Sequence, residues 1–284
     1  MKETNLETGK LAHIAPPVLE QREFIWIKEY LYKNAGIVLN DNKHALVSGR
    51  LDKRLRHYGF STYTEYFRLL GKAGYELETL MAIDLLTTNE TYFFREPKHF
   101  DYLKNQILPD RPAGSAIRIW SAASSSGEEA YTLAMILAEY AKTSQWEIIG
   151  TDISTRILEK ARQGLYPVNA AEKIPITLLK KYCLRGQGEY EGFLLIDSVL
   201  RNRVKFMYAN LIDKLPDLGR FDVIFLRNVM IYFDMITKQH LIERIQHYLS
   251  PGGYFIISHS ESLNGIKSQF QMISPSIYQK RIHD

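Results

Sequence analysis

Apolar residues along this chain follow two periods, and the switch between them marks its organisation. From Glu20 to about Leu86 the spacing is helical. Phe24, Ile25, Ile27 and Leu31 open a helix that Gly36 ends, and Leu46, Leu51 and Leu55 carry a second over about 42–59. Two more helices are predicted over 63–70 and 76–86. Nothing here has strand periodicity, so an all-α domain over 19–86 is expected, after a polar, Pro-containing, mobile tail over 1–18.

From Ile117 short apolar runs alternate with amphipathic helices, the pattern of a doubly wound α/β sheet over 105–284. A buried strand over 117–120 leads into the small-residue loop SAASSSG. The helix that follows carries Ala130, Leu133, Ala134, Leu137 and Ala138 on one face, and a second strand ends at Asp152. A helix over 154–163 has Ser154 as its N-cap and Gly164 as its stop. Further strands are expected in VKFMY, in the almost wholly apolar FDVIFLRN, and over 254–258, with a helix over 237–249 and an antiparallel edge from QFQMISPSIYQKR. Residues at about 172–200, punctuated by Gly186, Gly188 and Gly192, do not suit a plain crossover and read as a small antiparallel hairpin insertion.

Candidate chemistry gathers at the carboxyl ends of these strands, where open α/β sheets bind ligands. The small-residue loop lets backbone N–H groups approach a ligand, and Asp152 can accept both hydroxyls of a ribose. Yet the dinucleotide fingerprint is missing: the loop has only Gly127, and Glu128 and Glu129 open its helix. A pyrophosphate there would meet two negative charges, whereas a ligand with a ribose and a cationic centre would not. S-adenosylmethionine fits that description; helix capping by the two carboxylates is the plainer reading. Asn210 could read an adenine edge or close an ordinary turn. Arg227, Asn228 and Tyr232 follow the central strand. In the linker over 87–104, Arg95 sits beside Phe93 and Phe94 and would be partly desolvated unless an anion partnered it.

Composition adds mainly exclusions. A net charge of +4 over 284 residues is too mild to indicate nucleic acid. The single cysteine, Cys183, excludes an intrachain disulfide and a cysteine-rich metal site. No apolar run approaches the roughly 20 residues of a membrane span, and the polar N-terminus is no signal peptide, so a cytoplasmic protein, monomeric by default, is expected. Charge is unevenly placed, however: seven Lys/Arg lie between Lys43 and Lys72 against Asp52 and Glu65. Such a face either keeps a helix soluble or docks an acidic partner, with Arg50, Lys53, Arg54 and Arg56 as the docking candidates.

TTNETYFFRE, WSAASSSGEEAY, TDIS, LEKARQGLY, FLRNVMIYFD and PGGYFIISHSES, in this order and spacing, resemble the chemotaxis receptor methyltransferases of the CheR type. The resemblance covers nearly the whole chain from about residue 22. It implies a class I S-adenosylmethionine-dependent methyltransferase fold with an N-terminal all-α domain and an inserted β-subdomain. It further implies methylation of receptor glutamates to methyl esters, S-adenosylhomocysteine as product and no metal. Carried over by position, the cofactor contacts are Asn89, Thr91, Arg95, Glu129, Asp152, Asn210, Leu211, Arg227 and Asn228, with Arg95 and Tyr232 near the reacting methyl. The basic helix matches the family's receptor-docking helix, and the insertion its β-subdomain, which in some members grips a receptor's C-terminal tail peptide. Three rival readings are a methyltransferase acting on RNA or another protein, a sensor that binds S-adenosylmethionine without turnover, and a nicotinamide oxidoreductase, which the missing glycines disfavour.

Overall fold

The computed structural model describes residues 17–87 and 89–282, so the expected tail lies almost wholly outside the described residues. Four helices come first: α1 (Gln21–Ala35), α2 (His44–Tyr58), α3 (Tyr63–Leu69) and α4 (Glu76–Leu86). Their ends follow local rules. A capping box between Glu20 and Glu23 starts α1, and Gly36, at φ 70°, ends it in the left-handed conformation. A Cβ at Gly36 would stand 2.6 Å from the Ile212 side chain, so the glycine also permits a close approach to the sheet domain. Phe24, Ile27, Leu31, Val47, Leu51, Leu55, Tyr63 and Tyr66 fill the core of this bundle. Glu78 is buried within it and is held by Tyr66, Tyr58 and Arg54.

The remaining helices and strands, in chain order, are α5 (Pro97–Tyr102), β1 (Ile117–Ala122), α6 (Glu128–Tyr140), β2 (Trp146–Asp152), α7 (Thr155–Gln163), β3 (Leu165–Pro167), α8 (Ile176–Tyr182), β4 (Cys183–Arg185), β5 (Phe193–Ile196), α9 (Ser198–Arg201), β6 (Val204–Tyr208), β7 (Phe221–Leu226), α10 (Met235–Tyr248), β8 (Leu249–Ile257), β9 (Phe270–Ser274) and β10 (Ile277–Lys280). Seven strands form one sheet in the order β6-β2-β1-β7-β8-β10-β9. Strand β10 alone runs opposite to the other six, pairing antiparallel with β8 and β9. Both faces of the sheet are covered. One carries α6 and the buried rings of Phe93 and Phe100, the other α10 and the loops after β6 and β7.

The register positions the site. Ala122 pairs with Thr151 on one side and Leu226 on the other, and Asp152 pairs with Tyr208. The carboxyl ends of β6, β2, β1 and β7 therefore lie in one row, and the order reverses between β1 and β7, the switch point that opens a crevice.

The insertion differs from the expected hairpin. It is a three-stranded antiparallel sheet in the order β3-β5-β4 that begins at Leu165, upstream of the predicted 172–200. Much of the stretch is helical: ITLLKKY forms α8, burying Leu178 and Tyr182 one turn apart. Strand β8 also starts earlier than expected, at Leu249, and carries a register irregularity opposite Phe221–Val223 as it runs through the Pro251–Gly252–Gly253 segment. Among the described residues no helix is long and apolar enough to cross a membrane.

Candidate functional site

A cavity of about 590 Å³ opens along the row of strand ends. Ten residues singled out from the sequence line it: Asn89, Thr91, Arg95, Glu129, Asp152, Asn210, Leu211, Arg227, Asn228 and Tyr232. They come from five separate chain segments, and the helical domain closes the far wall with Ala35, Ile37, Val38, Leu39 and Leu86.

Asp152 ends β2 and is 6% exposed. Its Oδ2 accepts the Ser125 N–H at 2.9 Å and its Oδ1 the Ser154 N–H at 3.0 Å, which leaves lone pairs on both oxygens. Burial raises this carboxyl, the amides of Ser154 and Ser125 oppose the rise, and the nearby Asp84 adds to it. Glu129 lies in the first turn of α6 with Oε1 accepting the Ser121 hydroxyl at 2.7 Å and Oε2 facing Arg227 Nη1 at 2.8 Å. Glu128 behaves differently. It is turned into the protein, 7% exposed, takes the Ser126 hydroxyl at 2.7 Å, and is raised by burial. Of the two acids that open α6, only Glu129 lines the cavity.

Arg95 is half-buried, 5.7 Å from the ring centroid of Tyr92, and donates to the Glu90 carbonyl. Asn210 has both amide hydrogens engaged, to the Asn34 carbonyl at 2.7 Å and to Asp213 at 2.8 Å. Its Oδ1 accepts the Ile212 N–H at 3.3 Å, so the amide donors expected to read an adenine edge are spent within the protein. Tyr232 closes the loop after β7, and its carbonyl accepts the Val38 N–H of the helical domain at 2.8 Å.

Two residues that sequence reasoning missed hold this loop. Glu261 takes four backbone N–H groups, from Val229, Met230, Ser258 and Asn228, at 2.8–3.2 Å. Glu96 accepts from Ser258, His259 and Asn228 and lies 3.3 Å from Arg227. Burial alone would raise Glu96; the Arg227 charge and these hydrogen bonds outweigh it and bring the carboxyl down to about 2. The sequence signal was a charged residue just before a helix for Glu96 and just past a strand for Glu261, places that surface residues share. Backbone strain concentrates here as well. Phe94, Glu96, Ala123, Ser125 and Asn228 all adopt positive φ, between 49° and 64°, at a cost of order 1–3 kcal/mol each.

Behind Arg227, one ligand atom each of Glu96, His99 and His259 lies within 4.8 Å of the others. His99 Nε2 and His259 Nδ1 both contact the Ser276 hydroxyl, at 2.7 and 3.0 Å, and the guanidinium of Arg227 already neutralises Glu96. Burial and the charges of Arg227 and His259 lower the His99 imidazole to about 3.

The docking candidates divide. Lys53 and Arg56 are exposed. Arg50 donates to the Leu85 and Thr87 carbonyls, at 3.1 and 2.8 Å, and Arg54 Nε to Glu78 at 2.8 Å, so both are committed inside the helical domain.

The cavity suits a ligand bearing a ribose and a positive charge: four acidic residues line it, Glu90, Glu129, Asp152 and Asp234, Asp152 keeps unspent acceptor capacity, and the small-residue loop contributes Ala123, Ser124 and Ser125 to its wall. Comparison with known proteins agrees. Residues 89–279 match the CheR methyltransferase, SAM binding domain, and residues 22–87 the CheR methyltransferase, all-alpha domain. The chain is 41% identical over 261 residues to the chemotaxis protein methyltransferase of Borreliella burgdorferi, covering 88% of this chain and 91% of the relative. To that of Escherichia coli it is 38% identical over 263 residues, covering 92% and 91%. A solved glycopeptide N-methyltransferase, MtfA, complexed with S-adenosylmethionine, is similar at a TM-score of 0.36 and 15% identity, over 60% of this chain and 51% of that one. With its all-α domain, its S-adenosylmethionine-binding methyltransferase domain of class I fold and this cavity between them, the chain belongs to the CheR family of chemotaxis methyltransferases.

Proposed function

We propose that the protein methylates glutamate side-chain carboxylates on the cytoplasmic helices of chemotaxis receptors, giving glutamyl methyl esters. The convergence of ten residues from five segments on one cavity carries this reading. When bound, S-adenosylmethionine supplies a methyl group on a sulfonium sulfur, which retains the bonding pair as S-adenosylhomocysteine when the methyl passes to a carboxylate oxygen. Asp152 would hold the ribose through its free lone pairs, and Glu129, fixed by Ser121 and Arg227, the amino group. The acceptor, with a reference pKa of about 4.3, is already ionised at neutral pH, so no general base is required. What remains is desolvation and aim. Arg95 would orient a carboxylate, of the acceptor or of the cofactor, and Tyr232 would face the reacting methyl.

Lys53 and Arg56 would dock the acidic receptor helices, and the basic helix offers no second role as a nucleic-acid platform in this reading. Strand β4 is an outer strand of its small sheet, flanked by the exposed side chains of Leu184, Tyr190 and Phe193. It would accept a receptor tail peptide by strand addition. The protein would act as a cytoplasmic monomer without a metal. The test is methyl transfer from labelled S-adenosylmethionine to receptor-containing membranes, comparing wild type with Arg95→Ala. Base-labile label on the receptor that the variant cannot produce is expected; label on RNA, or no label despite tight cofactor binding, would overturn the proposal.

A further inference from the structure

Asp84 belongs to α4 of the helical domain, yet its carboxylate is spent on the sheet domain. It is 3% exposed, accepts the Ser154 hydroxyl, and takes Arg156 Nε at 2.5 Å. Ser154 lies two residues beyond Asp152 and performs three tasks. Its N–H supports Asp152 Oδ1 at 3.0 Å, its Oγ accepts the Ile157 N–H at 3.1 Å to cap α7, and its hydroxyl hydrogen goes to Asp84. Between Asp152 and Ser154, Ile153 packs against the apolar core of the helical bundle. Asp84 is in turn held from its own side, because Arg50 of α2 binds the carbonyls of Leu85 and Thr87 at the end of the same helix.

A serine hydroxyl that must both accept a capping N–H and donate has one rotor to satisfy two directions. A buried acceptor that is itself held by the Arg156 guanidinium fixes that rotor. Without it, the 153–154 main chain, whose Ser154 N–H supports the Asp152 carboxylate, loses its polar tie to the helical domain and is held there only by the packing of Ile153.

We propose that Asp84 is a positioning residue for the ribose end of the cofactor site, acting through Ser154 on Asp152. The helical domain thereby sets cofactor affinity in addition to any docking role. This rests on the reading of Asp152 as the ribose ligand.

The test is calorimetric binding of S-adenosylmethionine and S-adenosylhomocysteine to the full chain carrying Asp84→Asn, Ser154→Ala or both, with methyl transfer measured at saturating cofactor. Each single change should raise the dissociation constants about tenfold and raise KM for the cofactor while kcat stays near wild type. Because both changes cut one link, the double variant should be little worse than either single one. Unchanged affinity in Asp84→Asn, additive losses, or a fall in kcat without loss of affinity would overturn the inference. If Asp84→Asn does not fold, unchanged affinity in Ser154→Ala does the same. Wild-type protein that binds no S-adenosylmethionine would remove the underlying reading; a wild type that binds and variants that bind equally well would remove only this one.

Discussion

Arg227 Nη1 stands 2.8 Å from Glu129 Oε2, tying the end of β7 to the first turn of α6 across the carboxyl end of β1. The same guanidinium reaches Glu96 at 3.3 Å and the Arg95 carbonyl. One buried cation thus pairs with two acids and anchors the backbone of Arg95. The end of β7, the first turn of α6 and the linker are fastened at a single point.

Removing that point should be costly. Arg227→Met leaves Glu129 and Glu96 without their counter-charge, and breaking a buried pair from one side costs about 3–5 kcal/mol. Urea unfolding is expected to show a loss of that order, together with weakened cofactor binding. Glu129→Gln in the Arg227→Met background should cost less than the sum of the two single changes.

Acid should loosen the same region in two stages. His99 is lowered from 6.5 to about 3 in the folded protein by burial first and then by Arg227 and His259. Its contribution is therefore complete above pH 6.5 and is lost as the pH falls from there towards 3, because the unfolded chain binds the proton first. Glu96, lowered from 4.5 to about 2 against its burial, adds a second loss between those values. Wild-type stability measured by urea between pH 7.5 and 5 should fall more steeply than that of His99→Gln, since the variant lacks the imidazole that the unfolded chain protonates in that window.

The basic helix should separate into two classes. Lys53→Glu and Arg56→Glu are expected to raise KM for receptor-containing membranes severalfold, more at low salt than at high, with cofactor affinity unchanged. Arg54→Ala should act on folding instead, since it strands Glu78, 6% exposed, inside the helical bundle at a cost of about 3–5 kcal/mol. Equal stability of Arg54→Ala and wild type would contradict the assignment.

The loop of the small sheet offers a separate test. A Cβ at Gly186 would stand 1.9 Å from the Tyr190 carbonyl oxygen, which is backbone and cannot swing away. Gly186→Ala should therefore abolish binding of a receptor tail peptide, read by fluorescence anisotropy, while methylation of a tailless receptor fragment continues.

The helix and strand pattern was legible because its causes are local. Amphipathic spacing, the Ser154 cap and the Gly36 and Gly164 stops each act within a few residues, and the observed ends fall close to those expected. The missed pieces, α8 and the early start at Leu165, are short segments where β-prone residues and a helical spacing coexist, so packing decided between them.

Within the site the division follows the same line. Sequence alone determined which residues stand at the strand ends, since Asp152, Arg227 and Asn228 each end an apolar run and the run sets the position. It could not determine what each side chain is spent on. The amide of Asn210 is taken by a carbonyl 176 residues away, Arg54 by Glu78, and Ser154 by Asp84 across the domain boundary. Hydrogen bonds and ion pairs require atoms within a few ångströms of one another, and that proximity exists only once the helices have packed and, for Asn210 and Ser154, once the two domains have come together.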